Sequence, residues 1–469
     1  MSKGIRGTRL KHAALATGPG SAGKHRAHVI APLLWRLVMG MAVLALGVSW
    51  GKPGVVSQAS AQEPIKVGIL HSLSGTMAIS EAPIKEVVLM AIEEINQAGG
   101  VMGRKVEPVI EDPASNWDLF AEKAKKLLQQ DKVATVFGCW TSVSRKSVLP
   151  VFEQNNGLLF YPVQYEGEEC SKNVIYTGAT INQQASPAVD YLMSADGGSK
   201  KRFYLVGTDY VYPRTTNKIL RLYLNKVKSV PDSGIMEEYT PFHHQDYQTI
   251  VGKIKSFCAG GDAAVINTIN GDSNVPFFKE LANQGVTADT CPVISFSFAE
   301  VELQTLDVKP LAGHLASWNY YMSLKTPQNF QWVKAYKEWC AKRGIADKQC
   351  VTDDPMMHAY IHVKLWAKAV EKAGSTDVDK VLKALEGLEL SSPVGKYKVD
   401  EQNHHTWKPV YIGKIREDGQ FDIVWKTGEW VRPEPWSELT YPGRACDWSG
   451  DGKGTYDTVD GKRAWLSGK

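Results

Sequence analysis

"VATVFGCWTSVSRKSVLPVFEQNNGLLFYP", Val133 to Pro162, holds a short apolar run, a helix-spaced stretch and a second apolar run. That succession is the pattern of two parallel strands joined by a crossover helix. "VATVFG" and "GLLFYP" are continuously apolar rather than alternating, so each reads as a strand covered on both faces. Both runs end in aromatics beside small hydrogen-bonding groups: "GCWTS" after the first, "YPVQYEGEE" after the second. Either these are ordinary turn residues, or the two loops face each other across a site.

The alternation extends in both directions. Upstream, "IKVGIL" is a buried-strand run. "EAPIKEVVLMAIEEINQAGG" has helical spacing, with Val87, Ala91 and Ile95 on one face and Gly99-Gly100 as its stop. "KVEPVIED" is a strand, and "NWDLFAEKAKKLLQQD" a helix capped by Asn116. Downstream, strands "RFYLVGTDY", "GIMEEYTPF", "DAAVINTING" and "CPVISFSF" alternate with helices, one of them predicted from about Arg214 to Val227. The alternation restarts near Arg202, after the polar "SADGGSKKR", which predicts two α/β lobes with parallel sheets and helices on both faces. "GKYKVDEQNHHTWKPVYIGKIREDGQFDIVW" predicts a β-hairpin turning at "EDG". From Arg432 the chain is rich in Pro, Gly and Trp and is expected to wrap the surface.

The chain has 469 residues, 43% apolar and 22% charged, the composition of a folded globular protein. Residues 1–61 carry eight Lys/Arg and no acid, so the formal charge of +4 becomes −4 without them. A mildly acidic body offers no basic footprint for nucleic acid. The basic start, the apolar Leu37–Trp50 and the Ala59-Ser60-Ala61 site read as a cleaved secretion signal, with the mature chain starting at Gln62. The apolar stretch is short for a membrane span, and no Cys near the cut invites a lipid anchor. "GPGSAGKH", Gly18 to His25, imitates a phosphate-cradling loop but ends in His and follows no strand.

All seven cysteines (139, 170, 258, 291, 340, 350, 446) lie after the leader and form no C-x-x-C. Export permits pairing, with Cys340–Cys350 and Cys258–Cys291 as the candidates and at least one thiol left over. Cys139 reads as a small buried residue. His243-His244 and His404-His405 lack metal spacing and sit in polar, turn-like segments. "DWSGDG", Asp447 to Gly452, imitates a calcium loop, but Thr458 stands where the closing acid belongs. No metal, no cofactor and no enzyme motif of the H-E-x-x-H or G-x-S-x-G kind is predicted.

Ligands of open α/β sheets bind beyond the carboxyl ends of the strands. Here those ends are rich in Ser, Thr, Tyr, Trp, Asn and Gln and poor in Lys and Arg, which favours a small, neutral, polar ligand over a phosphate. Ser142 and Ser144 open a helix whose free amides can donate to a carbonyl oxygen. Trp140 offers a flat wall and one N–H; Tyr161, Tyr165, Tyr210 and Tyr212 offer walls and hydroxyls; Gln164 donates and accepts; Glu166 accepts. Each has a plainer explanation. Ser142 and Ser144 are also good helix caps, Trp140 can close the core edge, one of Tyr210 and Tyr212 can point into packing, and Glu168 and Glu169 read as a solvated acidic turn.

"VGILHSLSGTMAISE…AIEEINQAGGVMGRKVEPVIEDPASN" resembles the opening of the type I periplasmic binding proteins for branched-chain amino acids and amides. "FGCWTSVSRKSVLPVFEQNNGLLFYPVQYEGEECSKNVIYTGATINQQ", "GTDYVYPRTTN" and "ACDWS" resemble the urea and short-amide subgroup, most closely the urea-binding subunits of urea ABC importers. The resemblance implies an α/β fold of two Rossmann-like lobes joined by three crossovers, a Venus-flytrap with ligand in the cleft. It implies an N-terminal lobe of residues 62–182 plus about 313–390, a C-terminal lobe of 183–312 plus about 391–431, and a tail of 432–469. Carried over by position, Ser142 binds the ligand carbonyl through hydroxyl and amide, with Trp140 and Thr141 beside it. Trp140 stands where the amide-binding relative has tyrosine. Tyr161, Gln164 and Tyr165 match the second loop, and Val163 replaces a threonine there. Tyr210 matches a second-lobe aromatic, and Asn270, Gly271 and Glu300 lie where the wider family contacts ligand. The implied role is periplasmic capture of urea for an ABC permease, without a cofactor, nucleic acid or covalent anchor. The alternative is the same fold binding a short amide or a branched-chain amino acid, with Glu300 or Glu166 taking its ammonium. Against a cytoplasmic amide-responsive regulator stands the leader.

Overall fold

The computed structural model describes residues 62–466, so the leader and its cleavage site lie outside the described residues. Among these residues no helix is long and apolar enough to cross a membrane.

Two parallel sheets carry the fold. The first contains β1 (Ile65–Leu70), β2 (Val106–Glu111), β3 (Val136–Gly138), β4 (Leu159–Tyr161) and β5 (Val174–Tyr176), in the order β2-β1-β3-β4-β5. β3 and β4 are buried throughout, which is why their sequence shows no alternation. β2 lies at the edge, and its Pro108 is tolerated there because an edge strand can spare one N–H. Helices α1 (Ala78–Gln97), α2 (Trp117–Gln129) and α3 (Ser142–Gln154) cover this sheet. α1 buries Ile84, Val87, Val88, Ala91, Ile92 and Ile95, the face its spacing predicts. The Asn116 side chain caps α2 by accepting from the amides of Asp118 and Leu119.

The second lobe holds α4 (Ala185–Met193), β6 (Arg202–Thr208), α5 (Val211–Leu222), β7 (Ile235–Thr240), α6 (Gln248–Cys258), β8 (Ala263–Thr268), α7 (Asn274–Asn283), β9 (Val293–Ser295), α8 (Glu300–Leu303) and β10 (Leu315–Trp318). β7, β6, β8, β9 and β10 lie side by side and parallel. α5 starts three residues before the predicted Arg214, directly after Tyr210.

The chain then returns. α9 (Pro327–Arg343) and α10 (Asp354–Ala373) pack on α1, and α10 also meets β3 and β4 of the first sheet. α11 (Val378–Leu385) follows, then a small antiparallel sheet of β11 (Glu389–Ser392), β12 (Gly395–Val399) and β13 (Thr406–Trp407). β14 (Tyr411–Ile415) re-enters the second sheet antiparallel to β10, and β15 (Phe421–Lys426) pairs with β14. The predicted hairpin is therefore confined to β14 and β15 with its turn at Glu417-Asp418-Gly419; the "GKYKV" half belongs to the small sheet. β10 sits in the second sheet, so the chain leaves that lobe after Trp318 and not near residue 313.

Three segments thus connect the lobes, which bears out the two-lobed fold with three crossovers. One side chain ties all three. Asn319 Nδ2 donates to the Gln183 carbonyl at 3.0 Å and to the Pro409 carbonyl at 2.8 Å, while its own amide donates to Asp354 Oδ2 at 2.8 Å.

The tail forms a separate antiparallel sheet, β16 (Arg444–Asp447), β17 (Gly454–Val459) and β18 (Lys462–Trp465). Cys340–Cys350 and Cys258–Cys291 pair as expected, and Cys170–Cys446 fastens the tail to the loop after β4. Cys139 is the free, buried thiol, and burial pushes it up. Asp447 accepts from Ser449 and Arg463. His404 and His405 follow a turn, as the sequence suggests, but are buried; burial pushes them down to about 4 and about 3.

Candidate functional site

β3 ends at Gly138, and Cys139 turns the chain with a φ of 67° into Trp140 and α3. Thr141, not a serine, is the N-cap of α3: its hydroxyl accepts from the Ser144 amide at 3.0 Å. Ser142 is the first helical residue. The amides of Ser142 and Val143 then have no partner inside the helix, as at any helix start. α3 touches α5 of the second lobe, so this helix start faces the cleft between the lobes.

The second loop closes over it. Tyr161 Oη donates to the Trp140 carbonyl, and Trp140 Nε1 donates across the cleft to Asn270 Oδ1 at 3.2 Å. Gln164 Nε2 donates across the cleft to Ser297 Oγ at 2.6 Å. Gln164 Oε1 and Tyr212 Oη are buried without a hydrogen-bond partner. Tyr210 is pushed up by burial and by Tyr161, Tyr212 and Glu166 close by, which puts the second-lobe tyrosines against the first-lobe loop. Val163 is buried, and Gln164 makes the polar contact at that place.

A fully buried cation organises the cluster. Arg145 Nε donates to Glu169 Oε1 at 2.7 Å, Nη2 to Glu166 Oε1 at 3.2 Å and Nη1 to Ser142 Oγ at 3.1 Å. Ser142 Oγ in turn donates to Glu166 Oε2. The guanidinium stacks against Tyr165 at 4.6 Å and Tyr161 at 4.9 Å. Burial works against its charge, but Glu169 and Glu166 hold it well above its ordinary value. Burial also works against the Glu169 carboxylate, which Arg145 and Lys146 nevertheless hold down at about 2. The expectation of a solvated Glu169 is corrected: it is buried, and Arg145, Lys146 and the Tyr176 hydroxyl all donate to its carboxylate.

Of the predicted site residues, Trp140, Thr141, Ser142, Tyr161, Gln164, Glu166, Tyr210 and Asn270 come together. Tyr165 reaches that group only through its ring, which packs on Arg145 and Tyr161; its hydroxyl donates to the Glu169 carbonyl at 2.9 Å and lies 2.6 Å from His405 Nε2. Gly271, at φ +66°, is where the lobes touch; a Cβ there would lie 2.7 Å from the Thr76 carbonyl, and the next amide donates to that carbonyl at 3.1 Å. Glu300 stands apart. Its carboxyl accepts the Met322 amide at 2.8 Å on the second crossover, and burial pushes it up to about 8 against the pull of that amide. Arg145 and Ser297 were not foreseen, whereas the Tyr212 hydroxyl was among the candidates and is buried there. The one signal for Arg145 was a basic residue one helical turn from Ser142, facing a loop with three acids.

Residues 65–442 match the model of the periplasmic binding protein domain. The chain is similar to the leucine-, isoleucine-, valine-, threonine- and alanine-binding protein of Pseudomonas aeruginosa, 24% identical over 74% of this chain and 89% of that one. Limonene hydroxylase of Geobacillus stearothermophilus is 35% identical over 127 residues, 27% of this chain, and the chain spans only 22% of that protein's length. Among solved structures, an amino-acid ABC transporter substrate-binding protein of Pseudomonas fluorescens Pf-5 superposes with a TM-score of 0.67 at 20% identity, over 80% of this chain and 98% of that one. A solute-binding protein of Rhodopseudomonas palustris HaA2 in complex with p-hydroxybenzoic acid gives 0.66 at 21% identity, over 80% and 98%. Identities this low carry the fold and not the ligand.

Proposed function

The chain belongs to the periplasmic binding protein family, and from that premise we propose that it is the solute-capturing subunit of an ABC importer whose ligand is urea or a comparably small amide. It is exported, binds ligand between its lobes and delivers it to a membrane permease. The supporting observation is the charge balance at the cleft. Glu166, the carboxylate nearest the helix start of α3, is already engaged by Arg145 and Ser142, so it has no charge to offer an ammonium group. Around Ser142 the partners left open are neutral, the Gln164 carbonyl, the Tyr212 hydroxyl and the first amides of α3, while the one unpartnered oxygen of Glu300 lies apart beside the second crossover. Urea has one carbonyl and four N–H groups and matches that set. Buried polar atoms must be paired, so a ligand whose groups leave them unmatched binds weakly.

A second ligand is favoured by one observation: relatives covering most of this chain are named for branched-chain amino acids, among them the Leu/Ile/Val-binding protein BraC3 of Rhizobium johnstonii, 24% identical over 80% of this chain and 95% of that one. Titration calorimetry of residues 62–469 with urea, acetamide and leucine separates the two. We expect urea or acetamide to bind and leucine to bind less tightly; tighter binding of leucine overturns this assignment.

A further inference from the structure

The hydrogen bonds at Ser142 have a direction that the residue types alone do not reveal. An arginine side chain carries N–H donors and no acceptor. Arg145 Nη1 lies 3.1 Å from Ser142 Oγ, so Ser142 Oγ accepts that bond. The Ser142 hydroxyl proton is then free to be given away once, and it is given to Glu166 Oε2. Nothing lets Arg145 turn aside. It is completely buried, its Nε and Nη2 are held by Glu169 and Glu166, and tyrosine rings pack on its plane. What remains on Ser142 for a ligand is a lone pair.

We propose that Arg145 is a specificity-determining positioning residue: by donating to Ser142 it commits the Ser142 proton to Glu166, so that Ser142 meets the ligand only as an acceptor. The consequence contradicts the expectation that this hydroxyl binds a carbonyl. A ligand oxygen is left to the free amides at the start of α3, and the ligand atom against Ser142 Oγ must be an N–H. A carboxylate oxygen at that place meets a lone pair with no proton to share, so it is left unpaired and is disfavoured without any steric clash. Urea and primary amides present an oxygen and an N–H on neighbouring atoms, which is the pairing required. The inference rests on the proposed amide ligand for its choice of probe, but the polarity of Ser142 stands on the protein's own bonds.

The test uses acetamide and acetate, which have nearly the same shape and differ in the group that must face Ser142. Calorimetric titrations of the exported chain should give acetamide an affinity at least 100-fold above acetate. In Glu166→Gln the Ser142 proton is no longer drawn to a carboxylate, and the acetate-to-acetamide affinity ratio should rise at least tenfold. Ser142→Ala, which keeps the Arg145–Glu166 pair, should cost acetamide tenfold or more and change acetate little. A merely structural role for these groups would weaken both ligands together. Circular dichroism establishes that each variant is folded, and Ser142→Ala carries the test if Glu166→Gln is not. An unchanged ratio in both folded variants, or acetate binding the wild type as well as acetamide, overturns the proposal. If the wild type takes leucine and neither urea nor acetamide, the amide assignment fails by itself. The polarity is then read from leucine against leucinamide: leucinamide binding at least as tightly supports it, and a tenfold preference for leucine overturns it.

Discussion

Arg145→Met should destabilise the protein by an amount that depends on pH in a definite direction. The wild-type chain draws stability from Glu169, whose carboxyl falls from an ordinary 4.5 to about 2 in the fold. At about 1.4 kcal/mol per tenfold, that fall corresponds to about 3 kcal/mol. A depressed carboxyl stabilises the fold fully above its unfolded value, so this contribution is present above pH 4.5 and disappears as pH falls towards 2. Methionine fills much of the arginine's volume but leaves Glu166 and Glu169 without their buried cation. Removing one partner of a buried ion network costs about 3–5 kcal/mol. Lys146, 2.7 Å from Glu169 and on the surface side, retains part of the effect, so about 3 kcal/mol is expected near pH 7. As the carboxylates take up protons, the uncompensated charge vanishes and the two proteins converge. Thermal melting followed by circular dichroism from pH 7 to pH 3 measures this, with the gap in Tm shrinking on acidification. A gap that stays constant or widens refutes the account, because the loss would then be one of packing alone.

Glu300→Gln should behave in the opposite sense. Its carboxyl is raised to about 8, so in the wild type it costs stability increasingly as pH climbs from about 4.5 to 8, and the variant should gain on the wild type over that range in the same melting series. Asn319→Ala removes two bonds that join the crossovers and leaves two carbonyls unpaired; about 2 kcal/mol should be lost, and small-angle scattering should report a shifted balance of open and closed forms. Cys446→Ser should free the tail, lowering Tm and exposing the chain after residue 432 to limited proteolysis; the loop this bond closes is long enough for a loss of up to about 5 kcal/mol. Trp140→Ala should weaken ligand binding with the fold intact, since Trp140 Nε1 makes one of the bonds that hold the lobes together.

The fold was legible because burial writes itself locally. β3 and β4 are read from their apolar runs, α1 from its 3.6-residue stripe and α2 from its cap, each within one short window. The two loops of the site followed from where strands end. Arg145 was missed because its meaning lies in partners 21 and 24 residues away whose side chains meet only after β3 and β4 pair. The Cys170–Cys446 bond spans 276 residues and has no local signature. His404 and His405 look like turn residues in sequence, yet the Tyr176 and Tyr165 rings stack on His405 and enclose it. Glu300 was placed by family position; in the fold one of its oxygens accepts the Met322 amide at a crossover and the other is buried without a partner, neither of which its sequence neighbours announce.

A crystal structure of residues 62–469 grown with urea bears on the ligand and on the polarity of Ser142 at once. Urea should lie between the lobes, its oxygen at the Ser142 and Val143 amides and its N–H groups towards Ser142 Oγ and Gln164 Oε1, with Arg145 still bound to Glu166 and Glu169. An amino acid retained in that place with its carboxylate on Ser142 Oγ, or a cleft that excludes urea, would contradict this arrangement.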